Sequence, residues 1–280
     1  VHETAYAKIN LALHVRKRRE DGYHELETIF VFVDGGDVLS VAEADTDSLT
    51  ITGEFGEGLT GGPDNLVLKA LAFMRGMVSP GAAAIPPMAV TLEKNLPVAA
   101  GIGGGSADAA AMIRLLDRLY LRNGDTRELV LASSHLGADV GACIVSESRI
   151  GTGLGWELAL PAEDDVRGTP VLLVNPRVPL STGPVFKAWD GVDRGPLPAG
   201  GAREVALAGR NDLEAPAITL CPVIAEVLAA LQETAPWLAR MSGSGATCFA
   251  LYDNDDALRA AADELAVEHP GWWQMQGKIR

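Results

Sequence analysis

The sequence predicts an α+β chain of two domains, residues 1–155 and 156–280. Its length of 280 residues exceeds one small core and suits two modest domains, the reading taken here, or one large α/β unit. It opens on strands of period two, arranged as a hairpin or meander, and then sets a strand, a glycine loop and a helix in direct succession. Past Gly151 its character changes to a continuous apolar strand, a Gly/Pro-rich connection and a separate helix, turn, strand and helix.

Composition excludes several classes. Hydrophobic residues make up 48% and charged residues 21%, with a mean hydropathy of +0.14, as in ordinary soluble globular proteins. A net charge of -14 argues against a nucleic-acid backbone as partner, since that role calls for clustered Lys and Arg. Three cysteines without CxxC spacing indicate neither a disulfide framework nor a zinc site, and fit a reducing cytoplasm. The five histidines lack any ligand spacing, which argues against a histidine-bound metal. No apolar run reaches the roughly 18 residues of a membrane span. The start "VHETAYAKIN" lacks the layout of a signal peptide, so a soluble cytoplasmic chain without a membrane partner is expected.

In chain order, Ala5, Ala7, Ile9, Leu11, Leu13 and Val15 share one strand face, leaving Tyr6, Lys8, Asn10 and His14 on the other. Asp21-Gly22 marks a turn, and "RKRRE" before it reads as a solvated hairpin tip. "ELETIFVFVDGGDVLSV" reads as two strands broken at Gly35-Gly36. After a glycine-rich loop, "DNLVLKALAFMRGM" is a capped helix with a stripe of Leu66, Leu68, Ala70, Leu71 and Met74. "MAVTLEK" alternates Met88, Val90 and Leu92 inward. A helix follows the glycines, with Met112, Leu115, Leu116 and Leu119 at helical spacing. A further helix from about Thr126 stops at a C-capping Gly137. Later come the buried strand "PVLLVNP", a Gly/Pro-rich connection from about Gly191 to Gly209, a helix over Val223–Gln232, the turn "MSGSGA", the strand "TCFALY" and the helix "DALRAAADELA".

The stretch "NLPVAAGIGGGSADAA" concentrates the chemistry. Four glycines within Gly101–Gly105 stand between a strand and a helix, where bare backbone comes close to a ligand and free amides favour an anion. No Gly-Lys-Ser/Thr follows, which excludes a Walker loop, and Ser106 stands where a dinucleotide fingerprint needs Gly or Ala. Ser106 is expected at the helix start, able to cap amides or to offer its hydroxyl to a phosphate or to phosphate-bound Mg²⁺.

"LPVAAGIGGGSADAA" resembles the ATP loop of the GHMP kinases, the superfamily that holds galactokinase, homoserine kinase and mevalonate kinase. "AYAKINLALHV" and "MSGSGATCFALY" resemble two further blocks of that superfamily, in the same order. The resemblance implies a ribosomal-protein-S5-domain-2-like N-terminal domain, a ferredoxin-like C-terminal domain and an active site in the interdomain cleft. "DGYHE", with "DNLVLKA", "GADVGACI" and "NDLE", is similar to the branch that phosphorylates a cytidine diphosphate sugar alcohol in isoprenoid precursor synthesis. Other members acting on a different small alcohol such as homoserine, and a catalytically silent nucleotide-binding relative, are the alternatives.

Carried onto this sequence, the resemblance implies ATP and Mg²⁺ as cofactors, with ATP on Pro97, Val98, Ala99, Ala100, Gly101, Ile102, Gly103, Gly104, Gly105, Ser106 and Ala107, helped by Lys94 and Asn65. It pairs Lys8 with Asp139 beside the reacting hydroxyl, Asp139 as general base. It sets Tyr23 and Phe186 on the two faces of the cytosine and His24 at its edge, Asn10 by the sugar alcohol, and Gly243 and Ser244 by the diphosphate. From the residues alone, Lys8 would be a solvent-facing strand lysine, Lys94 a surface lysine, Asn65 a helix N-cap and Phe186 core. The chain departs from the family at Ala99 and Ala100, where glycine is usual, at Ala107 in place of serine and at Gly141 in place of proline. Ala99 and Ala100 suggest a first half of the loop that needs less conformational freedom.

Overall fold

Strand β1, His2–Arg18, runs beyond the predicted stretch at both ends. In the computed structural model, which describes residues 1–79, 81, 83–121, 125–155 and 157–280, the chain divides into two compact units. The first comprises Val1–Ala7, Gly36–Val98 and Gly103–Ser146; the second comprises Lys8–Gly35, Ala99–Ile102 and Glu147–Arg280.

The first unit takes the end of strand β2, His24–Glu43. β2 runs on through Gly35-Gly36, where the sequence predicts a break. A Cβ on Gly36 would lie 1.9 Å from the carbonyl oxygen of Ala5, so this glycine serves a close backbone approach and not a turn. Strand β3, Ser48–Thr52, and helix α1, Leu66–Met77, come next. α1 buries Val67, Ala70, Leu71 and Met74; of the predicted stripe Leu66 and Leu68 are only half-buried, and Asn65 is the cap as expected. Strand β4, Met88–Glu93, buries Met88, Val90 and Leu92 as expected, pairing antiparallel with β2 and parallel with β3.

Helix α2, Gly104–Leu116, is buried almost all round, and its alanines let α1 and helix α4, Val140–Val145, pack against it. A π-helical turn over Asp117–Leu121 then changes the register, which leaves Leu119 39% exposed instead of in the predicted stripe. Helix α3 spans Thr126–Ala132 and ends in a tight turn at Ser133–His135, where the Ser133 hydroxyl donates to the Val130 carbonyl. Gly137 is not left-handed and does not cap it.

In the second unit β1 is covered on both faces: Lys8, Asn10 and His14 are buried like Ile9 and Leu11, so the polar face is not a solvent face. The first half of β2 pairs antiparallel with β5, Arg149–Gly153, and β5 with β6, Glu157–Ala159. A second sheet, all antiparallel, has the order β10-β7-β9-β8: β7 is Pro170–Asn175, β8 Leu238–Met241, β9 Cys248–Leu251 and β10 Trp273–Lys278. Every residue of β7 is buried, as a continuous apolar run requires. Helices α5, Thr182–Ala188, α6, Ala202–Ala208, α7, Glu214–Leu220, α8, Val223–Glu233, and α9, Asp255–Glu268, complete the unit. The predicted connection from Gly191 to Gly209 is irregular only in its first half, because "AREVALA" is rich in helix formers. The core of this unit gathers Leu172, Val174, Ile224, Val227, Leu231 and Cys248.

Candidate active site

The glycine loop is assembled from backbone. α2 starts at Gly104 with Gly103 as N-cap, left-handed at φ 67°, and no side chain caps the helix. Ser106 therefore lies inside the first turn and is not the cap that the sequence suggests. A 13-residue helix whose leading amides have no side-chain cap among the described residues, with glycine at its first two positions, is a ready seat for an anion.

Beneath these glycines the first unit buries three charges. Lys94, 4% exposed, donates to Asp37 and, at 2.7 Å, to Asp108. Asp37 also accepts the backbone N–H groups of Asn95 at 2.6 Å and Leu96 at 2.8 Å, so it ties down the chain entering the loop. Lys94 is thus no surface lysine; a Cβ on Gly104 would lie 3.5 Å from its Nζ. Burial disfavours the Lys94 charge, but Asp108 and Asp37 outweigh it and hold the ammonium above its usual range. Burial, reinforced by Asp37 and opposed by Lys94, pushes Asp108 up to about 7.

A carboxyl whose pKa is raised on folding contributes stability that is present below its unfolded value, about 3.9, and is lost as pH rises through about 7. Asp108→Asn keeps the shape and removes the titration. Its melting temperature relative to the parent is expected to improve by at least about 2 °C between about pH 5 and pH 8 in calorimetry, and parallel curves would contradict this.

The other half of the loop belongs to the second unit. The Lys8 N–H donates to the Ile102 carbonyl at 3.0 Å, and the Thr247 N–H to the Ala100 carbonyl at 3.1 Å. The buried Ser242 hydroxyl donates to the Gly101 carbonyl at 2.8 Å and accepts the Asn10 N–H at 3.2 Å. Ala99 is left-handed at φ 52°, so the first half of the loop does need the freedom that glycine supplies; Ala100, with ordinary backbone, does not. Ala99→Gly is expected to stabilise the chain by about 1 kcal/mol in urea unfolding.

Lys8 is 4% exposed, with Nζ 4.3 Å from the centroid of the Phe30 ring. Asn10 donates from Nδ2 to the Thr28 hydroxyl at 2.8 Å, which itself donates to the Ala12 carbonyl at 2.6 Å. Its Oδ1 is buried without a partner among the described residues. Asn211 donates to the carbonyls of Met241 and Gly243, both at 2.8 Å, which braces the "MSGSGA" turn, and the Ser244 hydroxyl lies 3.0 Å from that of Thr182. In the first unit, Asp139 occupies the N-cap position of α4 without a side-chain capping bond. Asn65 is the N-cap of α1 and accepts the Val67 N–H at 2.9 Å, which is its plain structural reading.

Beyond the hairpin at Arg19–Tyr23, Tyr23 is 66% exposed and His24 is buried. The His24 ring lies 5.1 Å from Phe186 and meets Trp189 edge-on at 5.7 Å. Phe186 is half-buried on α5 and packs against the core of the second unit, at its margin and not within it.

These features define the class first: a family model described as GHMP kinases N terminal domain matches residues 65–147, and one described as GHMP kinases C terminal matches residues 199–269. A crystal structure of mevalonate kinase, at 12% identity and a TM-score of 0.66 over 100% of this chain and 99% of that one, shares the fold. The particular relatives are nearer. The chain is 55% identical over 281 residues to 4-diphosphocytidyl-2-C-methyl-D-erythritol kinase of Sphingopyxis alaskensis, covering 100% of this chain and 99% of that protein. It is 56% identical over 280 residues to the protein of that name from Novosphingobium aromaticivorans, covering 100% and 93%. A crystal structure of 4-(cytidine 5'-diphospho)-2C-methyl-D-erythritol kinase matches with a TM-score of 0.79 at 30% identity, over 100% of this chain and 99% of that one. The chain belongs to the 4-diphosphocytidyl-2-C-methyl-D-erythritol kinase family of the GHMP kinases.

Sequence reasoning missed Asp37, Asp108, Ser242, Thr28 and Arg18. Asp108 carries a readable signal, a lone carboxylate in an alanine helix, which burial obliges to find a cation. The others depend on partners far along the chain.

Proposed function

We propose that this chain transfers the γ-phosphoryl group of ATP to the 2-hydroxyl of 4-diphosphocytidyl-2-C-methyl-D-erythritol, a step in the non-mevalonate route to isoprenoid precursors. Full-length identity of 55% with kinases of that name carries the reading. The uncapped, glycine-lined start of α2 supports ATP as the phosphoryl donor.

Residues 97–107 wrap the ATP phosphates, and Lys94 acts through Asp37 and Asp108 to hold the loop rather than as an exposed contact. Asn65 borders the nucleotide from its cap position. Asp139 takes or orients the hydroxyl proton, and Lys8 steadies the charge that develops on the attacking oxygen. Such groups add to alignment and electrostatic stabilisation, because phosphoryl transfer leaves protein side chains little covalent work. Tyr23 and Phe186 enclose the base and His24 reads its edge. Asn10 holds the sugar alcohol, and Gly243 and Ser244 approach the diphosphate.

Mg²⁺ fits this site as an ion carried by the ATP phosphates. Among the described residues no group of three or more His, Cys, Asp and Glu could hold a metal, and the Ser106 hydroxyl, in the first turn of α2, would serve as one ligand. When bound, it supplies neutralisation of phosphate charge. We place the domains at 1–155 and 156–280 and the activity in the cytoplasm, where three buried cysteines without CxxC spacing are at home.

ADP release tests the reading: the cytidine diphosphate alcohol should support turnover and homoserine should not. Folded, ATP-binding protein that turns over homoserine alone would overturn it.

A further inference from the structure

Arg18 lies exposed near the end of β1, yet its guanidinium is committed to the aromatic cluster. Its Nε donates to Nε2 of His24 at 3.2 Å, and its Nη2 donates to the carbonyls of Lys187 at 3.2 Å and Trp189 at 3.3 Å. A guanidinium has donors only, so Nε2 of His24 must be the acceptor. In a neutral imidazole the one ring proton then sits on Nδ1. Burial, with help from the Arg18 charge, lowers the His24 pKa, so the ring is neutral at pH 7.

Nδ1 of His24 has no hydrogen-bond partner among the described residues. The indole N–H of Trp189, 4% exposed and edge-on to the same ring, is buried and equally without an acceptor. One aromatic cluster therefore offers two N–H donors that no described residue accepts, while the atom that could have accepted is taken by Arg18.

We propose that Arg18 is a specificity-determining positioning residue: by occupying Nε2 it fixes His24 as an Nδ1–H donor, and the site selects a base with an acceptor on its edge, such as N3 of cytosine. Uracil presents N–H at that place, which would set donor against donor and leave both unpaired in a buried site. This rests on the assignment of His24 to the base made above. Without Arg18 the ring can hold its proton on Nε2 and offer Nδ1 as an acceptor, which is the state that suits uracil.

Two measurements on the full chain test it. In ¹⁵N-histidine NMR without substrate, His24 of the parent should carry its proton on Nδ1, and in Arg18→Met it should shift toward Nε2–H. A parent ring protonated on Nε2 overturns the inference. In steady-state assays the parent should prefer the cytidine diphosphate substrate to its uridine counterpart. Arg18→Met should shrink that ratio at least about tenfold, chiefly through KM. An unchanged ratio overturns the inference. Failure of the parent with both substrates would count against the proposed reaction instead, and the nitrogen signals would then decide the inference by themselves.

Discussion

Asp139→Asn is expected to lower kcat by about 10² to 10⁴ while leaving the KM for ATP within about threefold. The variant keeps the shape of the side chain and removes its basicity. The Asp139 side chain makes no capping bond to α4 and its backbone carbonyl is kept in the variant, so the helix should form as before, and circular dichroism should match the parent. Lys8→Met should cause a loss of similar order. Lys8 is 4% exposed with its ammonium over the Phe30 ring, and methionine keeps the apolar stem while removing the charge. If both act on one hydroxyl, the double variant should be little worse than either single one, since groups that act as a unit are not additive. Losses that multiply would separate their roles.

Gly101→Ala is the second large effect, and it should damage stability and ATP affinity together. A Cβ at this position would lie 2.3 Å from the Ser242 carbonyl oxygen and 2.8 Å from the Gly245 nitrogen, at φ +75°. Both obstacles are backbone atoms, so no side chain can swing aside. We expect a loss of at least about 2 kcal/mol in urea unfolding, from left-handed strain plus overpacking. The KM for ATP should rise at least about tenfold, because the Gly101 carbonyl that receives the Ser242 hydroxyl must move. Ala99→Gly provides the contrast: it relaxes the same loop, two residues away, and should act in the opposite direction on stability.

How much of this was legible depends on the range of the interaction. Met88, Val90 and Leu92 declare β4 because alternation is local, and "PVLLVNP" declares β7 because an apolar run of that length has one economical fate. Lys8 misled because a strand covered on both faces alternates like one facing water; only the fold reveals what covers the second face. Gly36 misled because a glycine chosen for close approach and one chosen for a turn look alike in sequence. Leu119 was lost to a π turn that shifts the helical register. The candidate site divides the same way. The glycine run, Lys8, Asp139, Tyr23 and His24 were visible as motif residues. Asp37 with Lys94, Ser242 with Gly101, and Arg18 with Lys187 and Trp189 were not, because each pairing is made by folding.

Phosphorylation of the 2-hydroxyl of a cytidine diphosphate sugar alcohol by this chain can be read by ³¹P NMR of the product formed from ATP and 4-diphosphocytidyl-2-C-methyl-D-erythritol. ADP is expected together with a new phosphomonoester resonance on the erythritol C2 oxygen, and neither from Asp139→Asn on the same timescale. Inorganic phosphate as the sole new product, or a phosphate on another oxygen of the substrate, would contradict it.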